Sequence, residues 1–127
     1  MGSEARIRCR MAACNEAPAG YNNWAFYLIN DGDAPLDSAE LYRVSTEWGD
    51  FGHSQAVDVR VSGLAPGTHA LVWSGDDGEF RIELALLVRA GGREARLTFE
   101  FPKLYQQRDL PLVGGLGKHG REVAAEG

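Results

Sequence analysis

The sequence predicts an all-β protein in which short antiparallel strands pack as a sandwich. Apolar and polar side chains alternate along several segments, which is the pattern of strands buried on one face. Turn-forming residues separate these segments at fairly even spacing, and no segment shows the period of a convincing amphipathic helix. The 127 residues are enough for one domain with its own core.

The best-defined element is a β-hairpin between Glu79 and Pro102. Its first strand has one apolar face, and Gly91-Gly92 supplies a turn in which both central residues can adopt positive φ. With this turn, every inward residue meets an inward residue, so the register is well specified. The predicted pairs are Val88–Ala95, Leu86–Leu97, Leu84–Phe99 and Ile82–Phe101, with Arg89 opposite Glu94 on the exposed side.

The first two strands are predicted near the N-terminus. Residues 7–13 alternate between apolar side chains and arginines, and a strand with one basic face suits the edge of a sheet. A loop over residues 15–21 follows. Residues 24–29 are apolar on both faces, so this second strand is expected in the middle of a sheet.

The third, fourth and fifth strands are predicted between residues 36 and 73. A bulge near residue 40 reconciles two apolar sets of the third strand (36–48) that are out of phase. One set is Tyr42, Val44, Thr46 and Trp48, and the other is Ala39 and Leu41. Alternation over 57–61 predicts a fourth strand, and a turn over 64–68 leads into a fifth that carries Leu71 and Trp73. The hairpin supplies the sixth and seventh.

Two turn motifs resemble those of immunoglobulin-like domains. The segment 30–36 (NDGDAPL) is similar to the turn after the second strand in bacterial CARDB-like modules, and the segment 64–68 (LAPGT) resembles the Leu-x-Pro-Gly turn of fibronectin type III domains. The resemblance covers residues 5–101 and implies a seven-stranded antiparallel immunoglobulin-like β-sandwich. An inter-sheet cysteine pair and a tyrosine corner are both missing, and the resemblance implies no function.

The sandwich domain is expected to span residues 4–102 and to be followed by a flexible tail over 103–127. The tail contains many glycines among small and charged residues. Its segment 115–120 (GLGKHG) matches the G-x-G-x-x-G string of dinucleotide-binding loops. That loop requires a strand before it and a helix and an acid after it, and too little chain follows here. No cofactor is therefore expected.

The composition argues against several classes of partner. The net charge of -5 disfavours binding to nucleic acid or to an anionic membrane.

Cys9 and Cys14 should point to opposite faces of one strand, so we expect two free thiols and no metal site. The N-terminus has no long apolar run, and cytoplasmic is the default expectation for localisation. The oligomeric state is left open.

The candidate ligand site is one pole of the sandwich, where the loops after the first, third and fifth strands are expected to gather. Its aromatic and acidic side chains could bind a sugar ring, a peptide or Ca²⁺. The alternative is that Trp48 and Trp73 close the end of the core and that the acids form ordinary turns. The candidate residues are Trp48, Asp50, Phe51, His53, Trp73, Asp76 and Asp77.

A second candidate is a basic stripe of Arg6, Arg8 and Arg10, which would dock an acidic partner or simply protect a sheet edge. If the first and last strands lie near each other, Arg81, Arg89 and Arg96 of the hairpin would extend this stripe. The sequence shows no assembled set of acid, base and nucleophile, so we do not expect an enzyme. We therefore expect a non-catalytic interaction module that engages a protein or peptide partner through loops or an edge strand. The alternative is a small-ligand module, for carbohydrate or calcium, at residues 48–53 and 73–79.

Overall fold

Eight strands form two antiparallel four-stranded sheets that pack as a sandwich. The computed structural model describes residues 7–16, 23–48, 51–75, 81–102, 110–114 and 116–126. The strands are β1 (Arg8–Asn15), β2 (Trp24–Asn30), β3 (Leu36–Trp48), β4 (Phe51–Leu64), β5 (His69–Gly75), β6 (Arg81–Ala90), β7 (Arg93–Phe101) and β8 (Arg121–Glu126). Their orders are β5-β2-β1-β8 and β4-β3-β6-β7. The predicted all-β antiparallel sandwich is confirmed. None of these residues belongs to a helix that could cross a membrane.

The β6–β7 hairpin has the predicted register. All four predicted apolar pairs are found, from Val88 opposite Ala95 to Ile82 opposite Phe101. Gly91 and Gly92 form the turn with φ values of 56° and 79°. On the exposed side, Arg89 donates to Glu94 at 3.0 Å, as the alternation requires. The hairpin is therefore specified by its own sequence.

The main core lies between the two sheets. Its largest side chains include Phe26, Phe99 and Phe101, each at most 1% exposed. Phe26 at the start of β2 meets Phe101 at the end of β7 edge to face, with ring centroids 5.2 Å apart. This contact places the start of β2 and the end of β7 at the same end of the sandwich.

Strand β1 is central, whereas the sequence predicted an edge strand. It pairs with β2 on one side and with β8 on the other. Strand β8 lies in the segment that was predicted to be a flexible tail, so the sandwich has eight strands and extends beyond residue 102. The sequence did not reveal β8 because this strand has only six residues, of which only Val123 and Ala125 pack against the main core. So short an alternation gives a weak signal, and its pairing with β1 spans most of the chain.

The chain before β8 crosses the outer face of β1 and β2. We call residues 110–114 and 116–120 the C-terminal strap. Val113 and Leu116 of the strap bury a second apolar cluster together with Ala12, Cys14 and Ile29. Cys9 belongs to the main core instead, so the two cysteines lie on opposite faces of β1, as predicted, and both are free thiols. The strap explains why β2 is apolar on both faces.

The predicted bulge of β3 lies between Leu41 and Arg43. The register with both neighbouring strands shifts at this point. Tyr42, which was expected to share a face with Val44, sits at the shift, and the Arg96 guanidinium lies 5.9 Å from its ring centroid. On the other side of β3, two residues of β4, Val57 and Asp58, have no paired residue. The irregularity twists this part of the sheet.

Asn30 is fully buried and joins two turns at the end of the sandwich away from the Phe26–Phe101 contact. Its side-chain amide donates to the carbonyls of Ala34 at 2.9 Å and Leu64 at 3.0 Å. Its side-chain oxygen accepts from the Gly32 amide at 2.9 Å. Its backbone amide donates to Thr68 O, and its backbone carbonyl accepts from Gly67. Asn30 therefore ties the 30–36 turn to the 64–68 turn with every polar atom satisfied.

We expect Asn30→Ala to lower the free energy of unfolding by about 2–4 kcal/mol, because it leaves two carbonyls and one amide without their buried partner. Urea denaturation monitored by tryptophan fluorescence measures the loss. Gln55→Ala is the control, since it removes an exposed amide from β4. Equal stability of the two variants would contradict the role assigned to Asn30.

We expect Gly120→Ala to loosen the strap. A Cβ at Gly120 would lie 2.7 Å from both Ala13 O and Cys14 Sγ, so the strap must shift, at a cost of about 1–3 kcal/mol. Alkylation followed by mass spectrometry should then modify Cys14 faster while Cys9 stays protected. Gly114→Ala is the control, because a Cβ there meets nothing within 4 Å. Unchanged labelling of Cys14 would show that the strap does not shield it.

Candidate functional site

Most of the predicted polar–aromatic pole lies outside the described residues. Asp50, Asp76 and Asp77 fall there, and the side chains of Trp48 and Phe51 do too, although these two residues pair at the end of the β3–β4 hairpin. The strand ends that lead to the pole do come together, since Trp24 pairs with Gly75 and Glu47 with Arg81. The ligand-binding interpretation of the pole stays a prediction.

Two residues of the pole are described in full. His53 is exposed on β4. Trp73 on β5 is half-buried and packs against the main core, and its buried indole Nε1 has no hydrogen-bond partner among the described residues. Among the described residues no group of three or more His, Cys, Asp and Glu side chains could hold a metal ion.

The arginines of β1 do not act alike. Arg6 lies outside the described residues, and Arg8 is exposed at the start of β1. Arg10 donates to both carboxylate oxygens of Asp31, at 2.6 and 3.1 Å, and to Glu122 at 2.8 Å. It also donates to the strap carbonyl Gly114 O at 3.2 Å. These contacts, above all the one with Asp31, raise the pKa of Arg10 and commit its guanidinium to holding the strap and β8.

A second polar cluster anchors the strap beside β2. Lys118 donates to a carboxylate oxygen of Glu16 and, at 3.2 Å, to the Tyr27 hydroxyl, which itself donates to the same Glu16 oxygen. The Lys118 ammonium also lies 5.1 Å from the centroid of the Tyr27 ring. Hydrogen bonds from Lys118 and Tyr27 lower the pKa of Glu16, whereas the bond to Glu16 raises the pKa of Tyr27. The tyrosine is thereby held protonated.

The buried thiols are held protonated too. Burial raises the pKa of Cys9 to about 12 and that of Cys14 to about 11. The reactive thiolate is therefore scarce for both residues at neutral pH. Neither the Tyr27 cluster nor the cysteines are arranged as an activated nucleophile, and the polar clusters of the strap serve attachment.

The outer edge of β4 is an open sheet edge in the described part of the chain. This strand has 14 residues and pairs only with β3, so its other side forms no hydrogen-bonded ladder with a described strand. Residues 52–56 are exposed without alternation, which means that neither face of this part is covered. We call the outer side of β4, together with β5 opposite it, the open edge.

A shallow apolar cleft lies along the open edge. It has a volume of about 310 Å³ and lies between β4 and β5, the outermost strands of the two sheets on this side. Leu71 on its rim is 51% exposed, which is unusual for so large an apolar side chain in this structure. The lining residues are Val59, Leu71, Val72, Trp73 and Ser74. The open edge thus combines apolar side chains with strand backbone that no described strand pairs.

The open edge as a whole was not predicted as the site, although the candidates His53 and Trp73 lie on its two strands. Alternation located only the valines at 57–61, while β4 begins at Phe51. Residues 52–56 (GHSQA) show no alternation because both of their faces are exposed, so periodicity could not detect them. The available signal was indirect: between residues 51 and 64 there is no proline to interrupt a strand.

The chain was compared with protein-family models, with curated proteins and with solved structures, and none of the three comparisons gives a match. The functional interpretation consequently rests on the geometry of the site.

Proposed function

We propose that this protein is a non-catalytic binding module that takes up a protein or peptide partner as an added strand along the open edge. The observation that carries the proposal is β4 itself. It is the longest described strand, and one whole side of it is unpaired by any described residue. Backbone amides and carbonyls on such a side can hydrogen-bond an extended segment without regard to its sequence.

The apolar cleft supplies a means of selecting the partner. Every second side chain of an added strand points toward the core side of the sheet, where Val59 and Leu71 line the cleft. Burying the exposed part of Leu71 would also remove apolar surface from water. The fitting partner therefore carries apolar side chains at alternate positions.

The other outer strands are less suited to strand addition. β8 has six residues and β5 has seven, so each offers a shorter ladder. The nine residues of β7 carry exposed charged side chains at Arg93, Glu94, Arg96 and Glu100, which discourage pairing. In β4 the only Asp, Glu, Lys or Arg residues are Asp58 and Arg60.

We also infer that the sandwich is immunoglobulin-like or fibronectin type III-like. The sheet order supports this, because the chain pairs β1 with β2 in one sheet and β3 with β4 in the other, crosses back to β5, and crosses again to the β6–β7 hairpin. Such crossings are the Greek-key connections of these domains. β8 is then an additional strand beside β1.

Short linear peptides selected from a random library on the immobilised protein are expected to bind at the open edge. Amide NMR shifts on binding should concentrate in β4 and β5. Leu71→Lys should weaken binding at least about tenfold, because a charged side chain at the rim opposes burial of apolar residues. The control is Leu112→Lys, since Leu112 is 62% exposed and belongs to the strap.

Two results would contradict the proposal. One is that no selected peptide shifts the amides of β4 when the chain is monomeric. The other is that Leu71→Lys and Leu112→Lys weaken the selected peptides equally, which would point to a general effect of added charge.

A further inference from the structure

We infer that the partner of the open edge is a second copy of this chain, paired antiparallel with β4 across a two-fold axis at Val59. This inference rests on the proposed function, because both use the outer side of β4. A two-fold contact brings the same surface of both copies together, so the surface must be complementary to itself. Whether β4 is complementary to itself depends on which of its residues lies on the two-fold axis.

The charges of β4 select one register. Asp58 and Arg60 are two residues apart and both are exposed. With the axis at Val59, Asp58 of each copy lies directly opposite Arg60 of the other, which gives two ion pairs from one pair of residues. An axis at Asp58 or at Arg60 would bring like charges face to face. An axis at Val57 or Val61 would leave both charges opposite uncharged residues.

The same register matches the apolar side chains. It places Val59 opposite Val59 of the second copy and Val57 opposite Val61, on the face that packs against the main core. Directly opposed β-branched residues are favourable cross-strand pairs. The valine stripe of one copy thus continues into that of the other, and both sandwiches lie on the same side of the joined sheet.

The apolar cleft lies at this axis. Val59 lines the cleft together with Leu71, so a second copy centred on Val59 brings its own valine stripe to the mouth of the cleft. Leu71, which is 51% exposed in the single chain, then lies next to apolar surface instead of water. By symmetry each copy covers the cleft of the other.

The present ion pair of Arg60 does not compete strongly. Arg60 reaches Glu40 of β3 only at 3.5 Å, and its side chain is 62% exposed. Exposed ion pairs of this kind contribute little to stability. The guanidinium can therefore turn toward the second copy, and closing the two β4 edges on each other leaves that edge unavailable for further chains.

Reversal of the two charges tests the register. Sedimentation equilibrium of the full chain should give twice the 13.8 kDa of the single chain. D58R should place arginines opposite each other and R60D should place aspartates opposite each other. Each single variant should weaken the dimer at least about tenfold. The double variant D58R/R60D restores complementarity and should restore the dimer.

The controls separate charge reversal from damage to the fold. Both substituted residues are exposed, so thermal unfolding of each variant should match that of the wild type at a protein concentration low enough for all three to be monomeric. Arg89→Asp reverses an exposed charge on β6, away from the open edge, and should leave the dimer intact. A wild-type chain that stays monomeric, or a dimer that survives both single reversals, would overturn the inference.

The outcome also separates this inference from the proposed function. A monomeric chain that binds library-selected peptides on β4 would overturn the self-pairing and retain the proposed function. A monomeric chain whose β4 amides respond to no peptide would overturn both. A dimer that dissociates in D58R and re-forms in D58R/R60D supports both.

Discussion

The hydrogen bonds of Asn30 are the constraint on which the rest of the sandwich depends. A single buried amide holds the carbonyls of Ala34 and Leu64, so it fixes where the chain leaves one sheet and where β4 ends in the other. The backbone of Asn30 is bonded to Gly67 and Thr68, which sets the start of β5. Because the interior offers no water to replace these partners, the two turns cannot separate cheaply. The positions of β4 and β5, and hence the open edge, follow from this closure.

The C-terminal segment covers the edge of β1. β8 occupies the outer side of β1, and Arg10 is engaged by Asp31, Glu122 and the strap. The basic face of β1 suggested an exposed edge, but its Arg10 binds the C-terminal strap and β8. On the opposite side of the sandwich no described segment pairs with the outer edge of β4. Under the proposal, association therefore takes place at β4, which no described segment covers, and not at β1, which β8 covers.

The sequence predicted what local patterns determine and missed what distant pairing determines. The β6–β7 hairpin was predicted residue by residue, because its alternation and Gly91-Gly92 turn act within a short stretch. The bulge of β3 was visible as two apolar sets out of phase. β8 was missed, since its identity as a strand comes from β1, more than a hundred residues earlier. The full length of β4 was missed because exposure on both faces erases alternation. Of the predicted pole, Trp73 is partly a core residue, while the acidic residues of its loops lie outside the described residues.

An edge strand with two charges of opposite sign, two residues apart, behaves differently from one with charges of a single sign. Several like charges repel every copy in every register and keep an edge solitary. One acid and one base separated by a single residue repel a copy centred on either charge and attract a copy centred between them. In β4 the residue between them is Val59, which also lines the apolar cleft. The side chains that reject the neighbouring registers are therefore the ones that favour the register in which apolar surface is buried.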